Sequence, residues 1–152
     1  MRYIQVAALL LAVAAAGCSS SETSTMPGTP SSTTLTGTWS GDLALLGTSA
    51  RMTWTLTQTN SAIAGPVLVL LPTGTVLMNG VLSGTVSGSA VTYTIAISPG
   101  GIPSQPNCVG QLTGNVTSSL AAVSTLTGAY TVASSTCSTP FSTGTFTLTR
   151  TM

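Results

Sequence analysis

From Leu35 onward, apolar and polar residues alternate with a period of two. In the stretch 51–57, Met, Trp and Leu alternate with Arg and Thr, and in the stretch 91–97, Val, Tyr and Ile alternate with Thr and Ala. Successive side chains of a strand point to opposite faces, so the pattern predicts strands with one apolar face and one Thr-rich face. The segments that follow it are 35–46, 50–59, 62–71, 75–87, 90–98, 108–118, 124–132 and 142–150.

Short runs of turn-forming residues separate most of these segments. Asn60 and Ser61, the Pro-Thr-Gly run at 72–74, and Gly88 and Ser89 each lie between two predicted strands. Gly, Asn, Ser and Pro at such positions are typical of hairpin connections. The sequence therefore predicts an up-and-down antiparallel meander.

A weak repeat indicates that the meander closes on itself. The pattern apolar-x-Gly-x-apolar occurs five times, and its Gly always shares the apolar face, where a missing side chain lets a strand bend around a narrow barrel. The alternative explanation is that Gly is merely frequent in this chain. We predict an all-β domain over 35–152 that is an eight-stranded antiparallel up-and-down barrel. The glycines of the repeat are Gly37, Gly65, Gly84, Gly114 and Gly128.

The same strands could also form a membrane-spanning barrel turned inside out. Such a barrel places its apolar face toward lipid and flanks that face with girdles of aromatic residues. The chain has only two Trp, three Tyr and two Phe, which is few for two girdles. The alternation therefore favours a barrel with an apolar interior.

The first 18 residues have the plan of a secretory leader. Arg2 precedes an apolar run that ends in Ala-Gly-Cys at residues 16–18, and this run is too short to cross a bilayer, which takes about 20 residues. The stretch resembles the bacterial lipoprotein signal, in which the final Cys receives a diacylglycerol and becomes the new N-terminus. This resemblance implies a signal peptide over 1–17 and acylation of Cys18. The alternative is an ordinary signal peptide cut after Ala16, which leaves Cys18 as a free thiol.

The residues after Cys18 predict a flexible tether. Residues 19–34 are mostly Ser, Thr, Pro and Gly without an apolar period, so 18–34 is interpreted as a lipidated Cys with a tether of about 20 to 24 Å r.m.s.. Ser19 resembles the sorting residue of outer-membrane lipoproteins. We expect a protein of the bacterial cell envelope, anchored in the outer membrane, with the lipid bilayer as its partner through Cys18.

The few charges of the chain exclude several classes of function. Only Arg2, Glu22, Asp42, Arg51 and Arg150 are charged, and there is no His or Lys. Nucleic-acid binding would need a basic surface, a Ser or Cys nucleophile would need a base, and a metal site would need His or more carboxylates than this chain has. We therefore expect no enzyme activity, no catalytic or metal-binding residues, no cofactor and no nucleic-acid partner.

A resemblance to a barrel family rests on the first and last predicted strands. The Gly-Thr-Trp at 37–39 resembles the Gly-x-Trp of the calycins, the group of small barrels that includes the lipocalins and avidins. In those families an Arg from the end of the last strand covers the Trp at the closed end of the barrel. Arg150 matches that position and shares the face of Phe146 and Leu148. The resemblance implies a structural role for Trp39 and Arg150, whereas a solvated C-terminal Arg is the alternative.

The other two cysteines are expected to form a disulfide. With Cys18 acylated, Cys108 and Cys137 are an even pair in an oxidising compartment. They lie beside the connections after the fifth and seventh strands, and an up-and-down barrel brings these connections to the same end. Two buried free thiols are the alternative.

An apolar outer surface is predicted where the alternation fails, at residues 67–71. If Val67 and Val69 face inward, Leu68, Leu70, Leu77 and Val81 share the outer wall, and such a patch marks a contact with a second copy or another protein. The alternatives are a bulge at Pro66, an irregular third strand or a tether that folds over the patch.

The sequence leaves two kinds of function. We expect a non-enzymatic structural or interaction module, and the alternative is a binder of a small apolar ligand inside the barrel. Barrel mouths are common ligand sites, and the Pro- and Gly-rich segment 99–107 is the longest candidate lid. A narrow barrel can instead fill its interior with its own side chains.

Overall fold

The computed structural model describes residues 34–45, 48–117, 124–138 and 143–151, which form a barrel of eight strands. The predictions for the signal peptide, for Cys18 and for the tether up to residue 33 lie outside these residues. Within the described part, no helix is long and apolar enough to span a bilayer. The strands are β1 (Gly37–Leu45), β2 (Thr48–Thr59), β3 (Ala62–Leu70), β4 (Val76–Ser87), β5 (Ala90–Ile97), β6 (Gly110–Thr117), β7 (Thr125–Ser135) and β8 (Gly144–Thr151).

Each strand pairs antiparallel with the next along the chain, and β8 pairs with β1 to close the barrel. The predicted fold class is therefore confirmed, and the fold is compatible with that of the calycins. The closing seam contains three register pairs, which join residues 38–40 of β1 to residues 149–151 of β8. The connections after β1, β3, β5 and β7 lie at one end, called here the far end. Both termini of the barrel lie at the other end, called here the near end.

The apolar face of the strands fills the barrel and the Thr face forms its outer wall. This orientation is the opposite of that in a membrane-spanning barrel, whose apolar face meets lipid. Of ten side chains on the apolar faces of the strands, nine are buried, and Val86 is partly buried against the core. The nine are Trp39, Trp54, Leu56, Tyr93, Ile95, Val116, Tyr130, Phe146 and Leu148.

Glycines of the repeat stand where neighbouring backbones approach closely. A Cβ on Gly65 would lie 1.8 Å from the carbonyl oxygen of Thr55, and a Cβ on Gly114 would lie 2.0 Å from that of Ala129. No side chain fits at these distances, so only glycine allows the strands to bend there as the narrow barrel requires.

The register confirms part of the predicted outer patch and corrects the rest. Pro66 causes no slip, because Trp54 pairs with Val67 and Thr57 with Ala64 in one unbroken register. The irregularity lies further on, between Val69 and Leu70, where the pairing with β4 shifts.

Leu77 was wrongly placed on the outer wall. Met78 pairs with Val69 and Val76 pairs with Leu70, so Leu77 is the extra residue of this β-bulge. Its side chain is partly buried and packs against the core. Leu68 and Leu70 are half-buried, and Val81 is 60% exposed.

Candidate functional site

The near end of the barrel is closed by an arginine over a tryptophan. Trp39 is fully buried and donates a hydrogen bond from Nε1 to the carbonyl oxygen of Leu35 (2.8 Å). The guanidinium carbon of Arg150 lies 4.7 Å from the centroid of the Trp39 ring, and Nη2 of Arg150 donates to the carbonyl oxygen of Thr34. This is the arrangement that the calycin resemblance implies, and Arg150 is half-buried rather than fully solvated.

Gln58 fixes the segment that leads into β1, a role that the sequence did not reveal. Its Oε1 accepts from the backbone N–H of Leu35 (2.7 Å), and its own backbone N–H donates to Oγ1 of Thr36 (2.9 Å). Its Nε2 donates to the carbonyl oxygen of Asn60 (2.9 Å). One side chain therefore joins the start of β1 to the β2–β3 turn and holds Leu35 beneath Trp39.

The interior is almost completely filled. The central void measures about 10 Å³. A water molecule needs about 10 to 15 Å³ by this measure, and ordinary ligand pockets have about 300 to 1,000 Å³. The ring of Trp54 packs edge-to-face against Tyr93 and Phe146, with centroids 5.0 and 4.9 Å away. The side chains that line the void are Leu43, Met52, Trp54, Val69, Met78, Tyr93, Ile95, Leu112, Tyr130 and Phe146.

The Tyr93 hydroxyl and the Trp54 indole N–H of this interior differ in their hydrogen bonding. The hydroxyl of Tyr93 donates to the carbonyl oxygen of Ala129 (2.9 Å), whereas Nε1 of Trp54 is buried without a hydrogen-bond partner. Burial raises the pKa of the Tyr93 phenol well above its usual value, and repulsion from the Tyr130 phenol adds to the rise. Burial also raises the pKa of Tyr130. Both phenols therefore stay neutral at ordinary pH and serve as packing groups.

The far end is closed by the segment 98–109, called here the plug. Ile102 of the plug is 1% exposed and belongs to the core, and Asn79 of β4 donates its backbone N–H to the carbonyl oxygen of Gly101 (2.7 Å). The predicted Cys108–Cys137 disulfide is present, with the two Cα atoms 4.9 Å apart. The segment predicted as a lid thus packs into the barrel mouth and closes it.

The outer wall carries a shallow polar groove of about 600 Å³ across β4, β5, β6 and β7. No charged residue lines it. Some of its hydroxyls bond one another, as Oγ1 of Thr113 does with Oγ1 of Thr131 (3.2 Å). The polar side chains of the groove are Ser83, Thr85, Thr92, Thr94, Thr113, Asn115 and Thr131.

The charged residues of the outer wall stand together near the seam. Asp42 of β1 lies directly opposite Arg51 of β2, and Nη2 of Arg51 donates to Oγ of Ser40 (3.0 Å). Within the described ranges, no group of three or more His, Cys, Asp or Glu could hold a metal ion. Asp42 and Arg51 thus occupy opposite positions of the β1–β2 ladder on the outer wall.

These features define a small closed barrel with a packed interior, two sealed ends and a hydroxyl-rich wall that carries few charges. Comparison of the chain with protein-family models, with curated proteins and with solved structures finds no match.

Proposed function

We propose that this protein is a lipid-anchored module of the bacterial envelope that acts through the outside of its barrel and catalyses no reaction. The observation that carries the proposal is the packed interior. A void of about 10 Å³ offers no room for a substrate or an ordinary ligand, so the outer wall is the surface through which the barrel can bind.

The anchor is supported by the order of segments along the chain. An apolar run ends in Ala-Gly-Cys, a Ser- and Thr-rich tether follows Cys18, and the barrel begins at Leu35. Two or more acyl chains give stable residence in a membrane, since each buried methylene contributes about 0.8 kcal/mol. The tether would then join the barrel at the near end and leave the wall free to meet a partner.

A calycin-type origin of the barrel is supported by the contact at the near end. The stacking of Arg150 on Trp39 joins the first strand to the last, as it does in that group. We infer that the contact serves closure and stability here, because both side chains belong to the sealed end and neither faces a cavity.

The anchor is tested by expressing the full chain in a bacterium with a labelled fatty acid. We expect the label to be incorporated by the unaltered chain and by a Cys108→Ser/Cys137→Ser variant, and to be absent from Cys18→Ser. Mass spectrometry of the N-terminal peptide should find a diacylglyceryl group on Cys18. Cleavage after Ala16 with a free Cys18 thiol would refute the anchor.

The outer wall is tested by light scattering and cross-linking of the unacylated chain. The most exposed large apolar side chain in the described part of the chain is that of Val81, which pairs across the β3–β4 ladder with Pro66 and lies near the half-buried Leu68. We expect Leu68→Thr with Val81→Thr to abolish self-association, and Thr145→Ala with Thr147→Ala on the other wall to leave it unchanged. A monomer at all concentrations for the unaltered chain would exclude self-association through this surface.

Binding of an apolar ligand in the barrel is the competing function. It would have to displace core side chains, and the unpartnered Nε1 of Trp54 is a polar group that could meet such a ligand. Native mass spectrometry of the protein purified from its host decides between the two. We expect the mass of the acylated chain alone, and a retained small molecule released by Trp54→Phe would contradict the proposal.

A further inference from the structure

Besides the disulfide, hydrogen bonds hold the plug against the β7–β8 connection. One set of these bonds is made by the side-chain amide of Gln105. Its Nε2 donates to the carbonyl oxygen of Ser138 (2.7 Å), and its Oε1 accepts from the N–H (2.7 Å) and the hydroxyl (3.0 Å) of the same residue. An amide that meets a backbone N–H and C=O pair in this way reproduces a ladder contact between two strands.

Hydrogen bonds within the plug fix the position of Gln105 between Ile102 and Cys108. The backbone N–H of Gln105 donates to the carbonyl oxygen of Ile102 (2.8 Å), and that of Cys108 donates to the carbonyl oxygen of Gln105 (2.9 Å). The N–H of Gly100 donates to the carbonyl oxygen of Pro106 (2.7 Å). These hydrogen bonds therefore tie the position of Gln105 both to Ile102 in the core and to Cys108.

The residues on both sides of Cys137 are hydrogen-bonded to the plug, in addition to the disulfide itself. Thr136 donates its N–H to the carbonyl oxygen of Val109 (2.9 Å), and the N–H of Val109 donates to Oγ1 of Thr136 (3.0 Å). Ser138 is held by Gln105 on the other side of Cys137. Cys137 thus lies between two residues that are each hydrogen-bonded to the plug.

We infer that Gln105 is a positioning residue for the Cys108–Cys137 pair. It holds the β7–β8 connection against the plug, so that Ile102 stays seated when the disulfide is reduced and the two thiols remain placed to form the bridge again. The inference concerns the far end of the barrel only, and does not depend on the proposed function or on acylation.

The test measures the redox equilibrium of the pair with glutathione. Two molecules of glutathione supply two electrons and two protons, which convert the bridge into two thiols, and they leave as one molecule of oxidised glutathione. All proteins are the full chain with Cys18→Ser, so that only Cys108 and Cys137 can react. The reduced and oxidised fractions are trapped by alkylation and counted by mass spectrometry.

We expect Gln105→Ala to shift this equilibrium toward the thiols about tenfold, which is what one to two net hydrogen bonds are worth. Gln105→Glu keeps the acceptor and loses the donor, so its redox equilibrium should lie between those of the unaltered chain and Gln105→Ala. Gln111→Ala, an exposed glutamine on β6, is the matched control and should behave like the unaltered chain. An equilibrium for Gln105→Ala within twofold of the unaltered chain would overturn the inference, as would an equal shift in the control.

A second readout follows the plug itself by hydrogen exchange in the reduced protein. The amide of Asn79 reports on closure because it donates to the carbonyl oxygen of Gly101. It should remain protected in the reduced unaltered chain and exchange at least about tenfold faster in reduced Gln105→Ala. Loss of Asn79 protection on reduction alone would show that the disulfide holds the plug and would refute a role for Gln105. Should Gln105→Ala fail to fold, Gln105→Glu decides the matter by the same two measurements.

Discussion

Replacement of Arg150 by Ala tests whether the near end contributes to stability as its geometry indicates. The change removes a guanidinium that lies 4.7 Å from the Trp39 centroid and the hydrogen bond to the carbonyl oxygen of Thr34. It also opens Trp39, which is 0% exposed, to water. All three effects lower the free energy of unfolding.

The change in the free energy of unfolding is the sum of the interactions that Arg150→Ala removes and the buried unpaired group that it eliminates. The cation–π contact contributes about 0.5 to 2 kcal/mol and a single net hydrogen bond about 0.5 to 1.5 kcal/mol. Against this, Nε of Arg150 is buried without a partner, and its removal returns about 1 kcal/mol. These terms leave a net loss between about 0 and 2.5 kcal/mol, and because exposure of Trp39 to water adds to it, we expect about 1 to 2 kcal/mol, or a fall in Tm of about 4 to 10 °C.

The assay is urea unfolding followed by tryptophan fluorescence, with Arg51→Ala as the matched control. Arg51 is an exposed arginine of the wall that donates to Oγ of Ser40 and touches neither tryptophan ring, so its loss should cost little. In the folded state, Arg150→Ala should shift the emission to longer wavelength, whereas Arg51→Ala should not. Equal stability and equal emission for the two variants would refute the view that Arg150 seals this end.

Other predictions concern the core and the far end. Gly114→Ala should cost at least about 2 to 4 kcal/mol in urea unfolding, because its Cβ would meet backbone at 2.0 Å, whereas Gly110→Ala, whose nearest contact is at 3.5 Å, should be nearly neutral. The pKa of Tyr93 is higher in the folded than in the unfolded chain. The contribution of this phenol to the free energy of unfolding is therefore fully present below about pH 10 and is lost as the pH rises through the folded-state pKa. Unfolding at increasing alkaline pH should therefore show a fall in stability that is smaller in Tyr93→Phe, and an equal fall would contradict the assignment. Cys108→Ser with Cys137→Ser should lose about 3 to 4 kcal/mol by the chain-entropy argument for a separation of 29 residues, and complete labelling of both thiols in unreduced protein would exclude the bridge.

The eight strands and their closure could be predicted because one local signal specifies them. Alternation with a period of two assigns each side chain to a face, and the shared parity of the repeat glycines indicates where the strands bend. Only the boundaries differ. β1 begins at Gly37 rather than Leu35, and Gly37 has a φ of 137°, so the chain changes direction where it enters the strand. β7 continues to Ser135, because a bulge between Gln111 and Leu112 lets the last residues pair with β6.

The features that could not be predicted depend on contacts without a local pattern. Ile102 stands alone in a Pro- and Gly-rich loop, so no period marks it as a core residue. The pairing of Gln105 with Ser138 joins residues 33 positions apart and depends on the final shape of the far end. Leu77 was misplaced because a single extra residue in β4 reverses the parity on which the prediction relied.

The Thr-covered wall has a consequence for how this protein behaves in a changing medium. The charged residues in the described part of the chain are Asp42, Arg51 and Arg150. Hydroxyl groups keep their hydrogen-bonding capacity regardless of ionic strength, whereas attraction between exposed charges is screened within about 10 Å at 0.1 M salt. Closure also removes the free strand edges through which an uncharged sheet would aggregate. The described wall therefore carries few groups that respond to ionic strength, and an association formed on its hydroxyl-rich part should depend little on the salt concentration.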